Sequence, residues 1–237
     1  MHLYLYQIMS KTLLLDFDGV LFNNPRMNRM IQHRATIYFQ HYTQVPYKVA
    51  SKLNAKFYKN YGHTVTFMKD IIEYPNEVNI QDFNEFVYST KTLDTISKEM
   101  RQSDIHLASL WCDTIAEFRE RDYAIKIFSN APHNWIHRCL EDFPDYDLKY
   151  MFDDCFCFDN LNSMKTKKES YMEVYDHEEK IVFVDDSVDN LKPLFSNEDH
   201  GDQACFSECV WYPIHFGKSN TDSLFSTTNP LTIQQFI

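Results

Sequence analysis

Two short apolar runs in this chain each lead directly into a pair of aspartates. Asp16 and Asp18 follow the first run, and Asp185 and Asp186 follow the second. Both runs are typical of buried strands, so the sequence predicts about four carboxylates at one edge of a sheet. Such a cluster is unfavourable away from water unless a cation neutralises it. The pattern therefore predicts a site for a hard divalent cation, Mg²⁺, beside an aspartate that takes part in chemistry.

Apolar runs alternate with helical patterns along most of the chain. The runs cover residues 12–15, 123–128, 155–158, 181–184 and 205–212. Apolar residues spaced by three and four predict helices from Asp104 to Phe118, from Pro132 to Leu140 and from Lys168 to Tyr175. This order predicts an α/β fold, with a Rossmann-like and mainly parallel sheet flanked by helices. The polar tail from Ser219 is expected to pack loosely as far as Leu231.

Residues 24–102 interrupt this alternation. They contain several helical periodicities and no run typical of a buried strand, with Pro46 suited to a first helical turn and Gly62 to a helix end. We therefore predict an inserted helical cap at 24–102 and an α/β core formed by 9–23 and 103–237. Residues 1–8 are either an extension upstream of the natural start at Met9 or an edge strand.

The charge of the chain is divided unevenly. The formal net charge is −11, which argues against a general nucleic-acid binder. The stretch from residue 24 to residue 69 has no acidic residue and eight basic ones. Four of its lysines fall on one helical stripe, namely Lys48, Lys52, Lys56 and Lys59. Two interpretations stay open: a solvated helix face, or a surface that attracts an anionic substrate toward the acidic strand ends.

Other features suggest a cytosolic protein. No run of about 20 apolar residues occurs, so no transmembrane helix is expected, and the first nine residues make a poor signal peptide. The six cysteines lack the repeated spacing of a zinc site, and reduced, buried thiols are expected. The ten histidines show no pairing at ligand spacing, so we interpret them as structural or surface residues.

Four polar elements follow one another along the chain in an order that brings them together. Asp16 and Asp18 follow the first strand, Ser129 and Asn130 follow the second, Lys165 precedes the fourth, and the pair at 185–186 ends it. Ligands of open α/β sheets bind beyond the carboxyl ends of the strands. We therefore expect all four elements to meet at one crevice.

Several of these residues have structural alternatives. Ser129 and Asn130 also suit the cap of the following helix. Lys167 and Lys168 compete with Lys165 for the role of the buried lysine. The polar residues at 189 and 190 suit a helix cap as well as support for a metal ligand.

The four elements resemble the motifs of the haloacid dehalogenase superfamily, whose members are mostly phosphatases. Residues 16–20 (Asp-Phe-Asp-Gly-Val) are similar to the first motif, and Ser129 to the second. Lys165, with Tyr171 six residues later, is similar to the third, and residues 185–187 (Asp-Asp-Ser) to the fourth. The resemblance covers the core, and it implies that the helical insert is the family's cap.

The resemblance and the chemistry of the residues assign the same roles. A phosphate monoester resists attack because its oxygens are already negative, so cations must first neutralise them. Asp16 is then the nucleophile that forms an aspartyl phosphate, and Asp18 is the general acid and base. Ser129, Asn130 and Lys165 are expected to bind the phosphoryl group. Mg²⁺ is expected on Asp16, on the backbone carbonyl of Asp18 and on the carboxylates of 185 and 186, with residue 185 binding directly or through water.

Asp18 separates the reactions of this family, because its dehalogenases lack the second aspartate. Its presence favours a phosphatase acting on a small phosphorylated metabolite or a nucleotide. A phosphomutase, a phosphatase acting on nucleic-acid ends, and a non-enzymatic interaction protein stay as alternatives. Aromatic residues of the insert suit helix packing or stacking on a base. Neither the substrate nor the oligomeric state is predicted.

Overall fold

The computed structural model describes residues 11–65, 68, 78–95, 105–141, 148–195, 209–218 and 225–236. Within these ranges one sheet contains the strands β1 (Lys11–Leu15), β2 (Tyr123–Phe128), β3 (Asp154–Phe156), β4 (Lys180–Asp185), β5 (Val210–Phe216) and β6 (Phe225–Thr227). The α-helices are α1 (Pro25–Thr43), α2 (Tyr47–Tyr61), α3 (Ile80–Val87), α4 (Ile105–Glu120), α5 (His133–Glu141), α6 (Lys168–Val174) and α7 (Val188–Leu191). The predicted α/β class is confirmed.

The sheet is parallel throughout, and its strand order is β3-β2-β1-β4-β5-β6. β1 lies between β2 and β4, and Leu15 pairs with both Ile127 and Val184. The last residues of these three strands are therefore neighbours. Whatever follows each strand in sequence is delivered to the same edge of the sheet, as the sequence predicted.

Both faces of the sheet are covered, which explains why its central strands are continuous apolar runs. Leu13 and Leu15 pack on one side with Trp111 and Phe118 of α4. Leu14 points to the other side, toward a second cluster formed largely by α6, β4 and α7. This alternation is the period of two expected of a strand. The buried faces hold β1 rigidly at the centre of the fold.

The helical insert has an apolar core of its own. Asn24 caps α1 by accepting hydrogen bonds from the amides of Arg26 and Met27, and a proline follows it at the first helical position. Side chains of α1, α2 and α3 pack together around Phe39, Phe57 and other residues. α2 ends at a glycine, residue 62, in the left-handed conformation (φ 71°), which confirms the predicted helix end.

The prediction of a loosely packed tail from Ser219 to Leu231 is wrong at β6 and at the buried Pro230, and residues 219–224 lie outside the described residues. β6 pairs in parallel with β5, and a 3₁₀ helix follows at Pro230–Phe236, where Ile233 is fully buried. A three-residue strand is too short to give a periodic pattern, so the sequence did not reveal it. Residues 205–208 of the predicted fifth strand lie outside the described residues.

Two further expectations concern chemistry rather than topology. Free thiols are found at Cys112, Cys139, Cys155, Cys157 and Cys209, and the sixth cysteine lies outside the described residues. Among the helices that the structure describes, none combines the length and the apolar character needed to cross a bilayer.

Candidate active site

A tight turn follows β1 and carries the first two aspartates. The amide of Asp16 continues the sheet by donating to the Val184 carbonyl at 2.9 Å. The amides of Leu21 and Phe22 then donate back to the Phe17 carbonyl, at 3.1 and 3.2 Å. Because the chain reverses within six residues, Asp16 and Asp18 are held on a short, constrained segment rather than on a free loop.

Gly19 makes this turn and also makes room for the opposite carboxylate. Its φ is +89°, a backbone conformation that favours glycine. A Cβ atom at this position would lie 2.2 Å from Oδ2 of Asp186. Both the backbone conformation and the close approach of Asp186 therefore require glycine here, and the first and fourth motifs can touch.

Lys165 lies at the centre of the site. It is 1% exposed, and its ammonium group is 2.6 Å from Oδ1 of Asp16 and 2.6 Å from Oδ2 of Asp185. Its third contact is the Phe128 carbonyl, at 3.1 Å. An ammonium group has three hydrogens, so these contacts satisfy it completely. The competing Lys167 is exposed at the surface.

Asp185 is a fully buried anchor. Its two oxygens accept hydrogen bonds from the backbone amide of Ser187 and from the side-chain amide of Asn190, as well as from Lys165. Asp189 instead forms an ion pair with Lys192. Of the two residues that suited a cap or a supporting role, the structure brings Asn190 into the site.

Ser129 and Asn130 follow β2 beside the lysine. The Ser129 hydroxyl accepts a hydrogen bond from the Ala131 amide at 3.2 Å, and the residue is buried. The side-chain oxygen of Asn130 accepts a hydrogen bond from the Lys165 amide at 3.1 Å. This bond ties the lysine segment to the end of β2, and it leaves the Asn130 amino group as a donor.

The Asp18 carboxylate has a partner that the sequence did not suggest. The indole nitrogen of Trp135, on α5, donates to Oδ1 of Asp18 at 3.1 Å. The tryptophan is fully buried. It was missed because an isolated tryptophan in an apolar helix pattern is indistinguishable from a core residue. No motif marks it.

The carboxylates of this cluster outnumber the lysine, and their pKa values reflect this. Burial, together with the charge of Asp185, raises the pKa of Asp16 well above its usual range, although Lys165 opposes the shift. Desolvation and the same neighbouring charge raise the pKa of Asp186 to about 7. Burial raises the pKa of Asp18 to about 6, against the opposing effects of Trp135 and Lys165. The cluster carries more negative charge than its own cation balances.

The same cluster suits a hard metal ion. One oxygen from each of Asp16, Asp185 and Asp186 lies within 4.8 Å of the other two. An all-oxygen donor set of carboxylates is typical of Mg²⁺ or Ca²⁺ rather than of softer metals. Gly19 keeps the space beside Asp186 free of a side chain. The residues present therefore fit a divalent cation.

A cavity of about 440 Å³ connects these groups to the helical insert. Its floor includes Asp16, Asp18, Lys165 and Asp186. Its walls include Tyr58 and Lys59 of α2, together with His63 and Tyr88. Lys59 is the member of the lysine stripe that reaches this cavity. Burial lowers the pKa of His63 to about 4, so its ring is neutral near pH 7. The lysine stripe and the aromatic residues of the insert, which include Lys59 and Tyr58, had pointed to this wall, whereas no motif marks His63 or Tyr88.

No family model matches the sequence, and no curated protein matches it. Solved structures are similar to it over nearly the whole chain. A HAD phosphatase from Thermococcus onnurineus is 11% identical, covers 96% of this chain and 97% of its own, and has a TM-score of 0.54. CbbY from Rhodobacter sphaeroides, in complex with phosphate, is 12% identical, with coverages of 94% and 95% and a TM-score of 0.57. A dehalogenase is 14% identical, with coverages of 96% and 97% and a TM-score of 0.50.

At these identities the similarity establishes the fold alone. The resemblance inferred from the four motifs is confirmed at this level: the chain has the haloacid dehalogenase fold.

Proposed function

We propose that the chain is a Mg²⁺-dependent phosphatase that hydrolyses a small phosphate monoester through an aspartyl phosphate. One observation carries the proposal. A fully buried lysine binds two carboxylates, at 2.6 Å each, beside the cavity that also contains Asp18. The relatives in fold named as a HAD phosphatase and as CbbY in complex with phosphate lend it support.

Asp16 is the nucleophile in this proposal. Its Oδ1 accepts hydrogen bonds from Lys165 and from the Phe17 amide, and within the described residues no hydrogen bond reaches its Oδ2. Oδ2 attacks phosphorus, the bond to the ester oxygen breaks, and an aspartyl phosphate forms. Ser129 and Asn130 supply a hydroxyl and an amide that bind the phosphoryl oxygens, and the positive charge of Lys165, whose hydrogens are already bonded, attracts those oxygens electrostatically.

Asp18 moves the protons of both steps. In the first step it gives its proton to the departing ester oxygen, and the leaving group departs as an alcohol. In the second step the resulting carboxylate takes a proton from the water that attacks phosphorus. The bond to Asp16 then breaks, inorganic phosphate leaves, and both aspartates return to their starting state.

The proposed Mg²⁺ ligands are Asp16, Asp186 and the backbone carbonyl of Asp18. Asp185 is expected to contribute through water, because hydrogen bonds from Lys165, Ser187 and Asn190 already occupy its oxygens. When bound, the ion neutralises charge on the phosphoryl oxygens.

The helical insert is proposed to act as a cap, with boundaries at 24 and 102 and with 9–23 and 103–237 as the core. Side chains of α1, α2 and α3 line the cavity, which favours a small substrate over the end of a nucleic acid. The cavity walls offer Lys59 to an anionic group and Tyr58 and Tyr88 to a ring. These residues suit a phosphorylated metabolite or a nucleotide.

The proposal is tested by screening phosphorylated metabolites, nucleotides and an aryl phosphate, with and without Mg²⁺. We expect Mg²⁺-dependent release of inorganic phosphate from small substrates. Equal activity on short oligonucleotide ends, falling steeply between low and moderate salt, would instead favour the nucleic-acid alternative. A phosphorylated isomer in place of free phosphate would identify a phosphomutase. No turnover across the panel would contradict the proposal.

A further inference from the structure

The hydrogen bond between Trp135 and Asp18 has a use beyond satisfying a buried indole. We propose that Trp135 is a positioning residue that fixes which oxygen of Asp18 carries the catalytic proton. The inference rests on the proposed function, because it concerns the delivery of that proton to the leaving group.

The hydrogen-bonding chemistry of the indole and the carboxyl group determines which oxygen of Asp18 carries the proton. An indole nitrogen only donates a hydrogen bond, and a protonated carboxyl group has one oxygen that accepts and one that donates. Trp135 donates to Oδ1 of Asp18 at 3.1 Å. Oδ1 is therefore the unprotonated oxygen of the neutral acid, and the proton is on Oδ2. Without the indole, the proton would be shared between the two oxygens and the carboxyl group would be free to rotate.

The setting of Trp135 is rigid enough for this role. The residue is fully buried, and its backbone amide donates to the Pro132 carbonyl at 3.1 Å, in the segment that directly follows the phosphate-binding residues 129 and 130. On its other side the ring lies 5.6 Å from the ring of Tyr88, which lines the cavity. The same indole thus contacts the proposed general acid and a residue of the cavity wall.

A second tryptophan provides a matched control. Trp111 is equally buried, and its indole nitrogen donates to the Val20 carbonyl at 2.8 Å. This bond stabilises the turn after β1 without reaching a carboxylate. The variants Trp135→Phe and Trp111→Phe therefore each remove one buried indole hydrogen bond, and only the first removes it from Asp18.

Two substrates that differ in their leaving group distinguish a positioning role of Trp135 from a purely structural role. An alkyl phosphate needs a proton on its leaving oxygen, whereas 2,4-dinitrophenyl phosphate does not, since its phenolate is stable. The value of kcat/KM reports only the steps up to departure of the leaving group. We expect Trp135→Phe to lower kcat/KM for the alkyl substrate by about 10-fold, part of the total effect of a general acid. For the dinitrophenyl ester we expect little change.

The expected control result is that Trp111→Phe affects both substrates equally. An equal loss on both substrates in Trp135→Phe, or no loss on either, would overturn the inference and leave the proposed function standing. An unmodified chain that turns over neither substrate would overturn both. If Trp135→Phe does not fold, as judged by its thermal denaturation, benzothienylalanine at position 135 keeps the ring shape without the N–H, and the same comparison decides.

Discussion

Two lysines, the buried Lys165 and the half-buried Lys126, pair with buried carboxylates beside the same sheet, and the two sites differ in how well their charges balance. Toward the amino ends of the strands, Lys126 binds Glu178 at 2.7 Å, and Thr12 and the Asp176 amide donate to the same carboxylate at 3.1 and 2.6 Å. At the carboxyl ends, Lys165 faces three carboxylates.

The pKa shifts of the two sites have opposite signs. Burial opposes ionisation of Glu178, but the hydrogen bonds from Lys126 and from the Asp176 amide outweigh it, and its pKa lies below the usual value. The pKa of Asp16 is raised, because burial and the charge of Asp185 exceed what Lys165 offsets. The balanced pair keeps the Glu178 carboxylate ionised, whereas the unbalanced cluster around Lys165 is suited to bind further cations and to react.

The largest expected effect comes from replacing the proposed nucleophile. Asp16→Asn removes the attacking oxygen, so we expect phosphatase activity to fall by about 10³-fold or more. The same change removes one of the crowded negative charges. We therefore expect the free energy of unfolding, measured in urea without divalent metal, to be no lower than that of the parent chain.

The control is Asp113→Asn, which changes an exposed aspartate on α4 and should leave both quantities unchanged. Retained activity in Asp16→Asn would show that the cluster around Lys165 does not supply the nucleophile.

Removing the carboxylate of the Lys126–Glu178 pair should have the opposite effect, with a loss of stability and no loss of activity. Glu178→Gln leaves the half-buried Lys126 without its carboxylate, and we expect the free energy of unfolding to fall by about 1–3 kcal/mol. Activity per folded molecule should be unchanged. Because the folded-state pKa of Glu178 is depressed, its contribution is present above the unfolded pKa near 4.5 and is lost as the pH falls through the lower folded value.

Urea unfolding at several pH values measures this effect. The gap in stability between the parent and Glu178→Gln should be full at pH 7 and should narrow below about pH 4.5. Glu179→Gln, at the exposed neighbouring residue, is the control. A gap that does not depend on pH would show that the ion pair is not its cause.

The smallest effect concerns metal binding. Mg²⁺ should raise the unfolding free energy of the parent chain by about 2.7 kcal/mol at a concentration 100-fold above its dissociation constant. Asp186→Asn should lose most of this gain, whereas Asp189→Asn, whose carboxylate binds Lys192 instead, should keep it. Thermal denaturation with Mg²⁺ and with a chelator measures the difference. An equal gain in both variants would contradict the assigned ligands.

The sequence predicted the parts of the molecule that follow from local patterns. The continuous apolar runs of β1, β2 and β4 predicted buried strands, and the polar residues after them predicted where side chains would meet. The end of α2 at Gly62 was also predictable, because few other residues adopt the left-handed conformation that ends a helix.

Other parts depend on contacts between distant segments. β6 is three residues long and exists through its pairing with β5. Trp135 lies 117 residues from Asp18 in the chain, and its hydrogen bond arises only once α5 packs beside the turn after β1. The balanced pair of Lys126 and Glu178 was also unpredicted, since no motif marks either residue.

Trapping the phosphorylated intermediate on Asp16 tests the proposed mechanism most directly. Asp18→Asn removes the base of the second step, and 2,4-dinitrophenyl phosphate does not need the acid of the first. The variant, mixed with this substrate and Mg²⁺ and quenched in acid, should therefore accumulate one phosphoryl group on the peptide that contains Asp16, as detected by mass spectrometry. Substrate turnover with no phosphoryl group on Asp16, or with the group on another residue, would contradict the proposed mechanism.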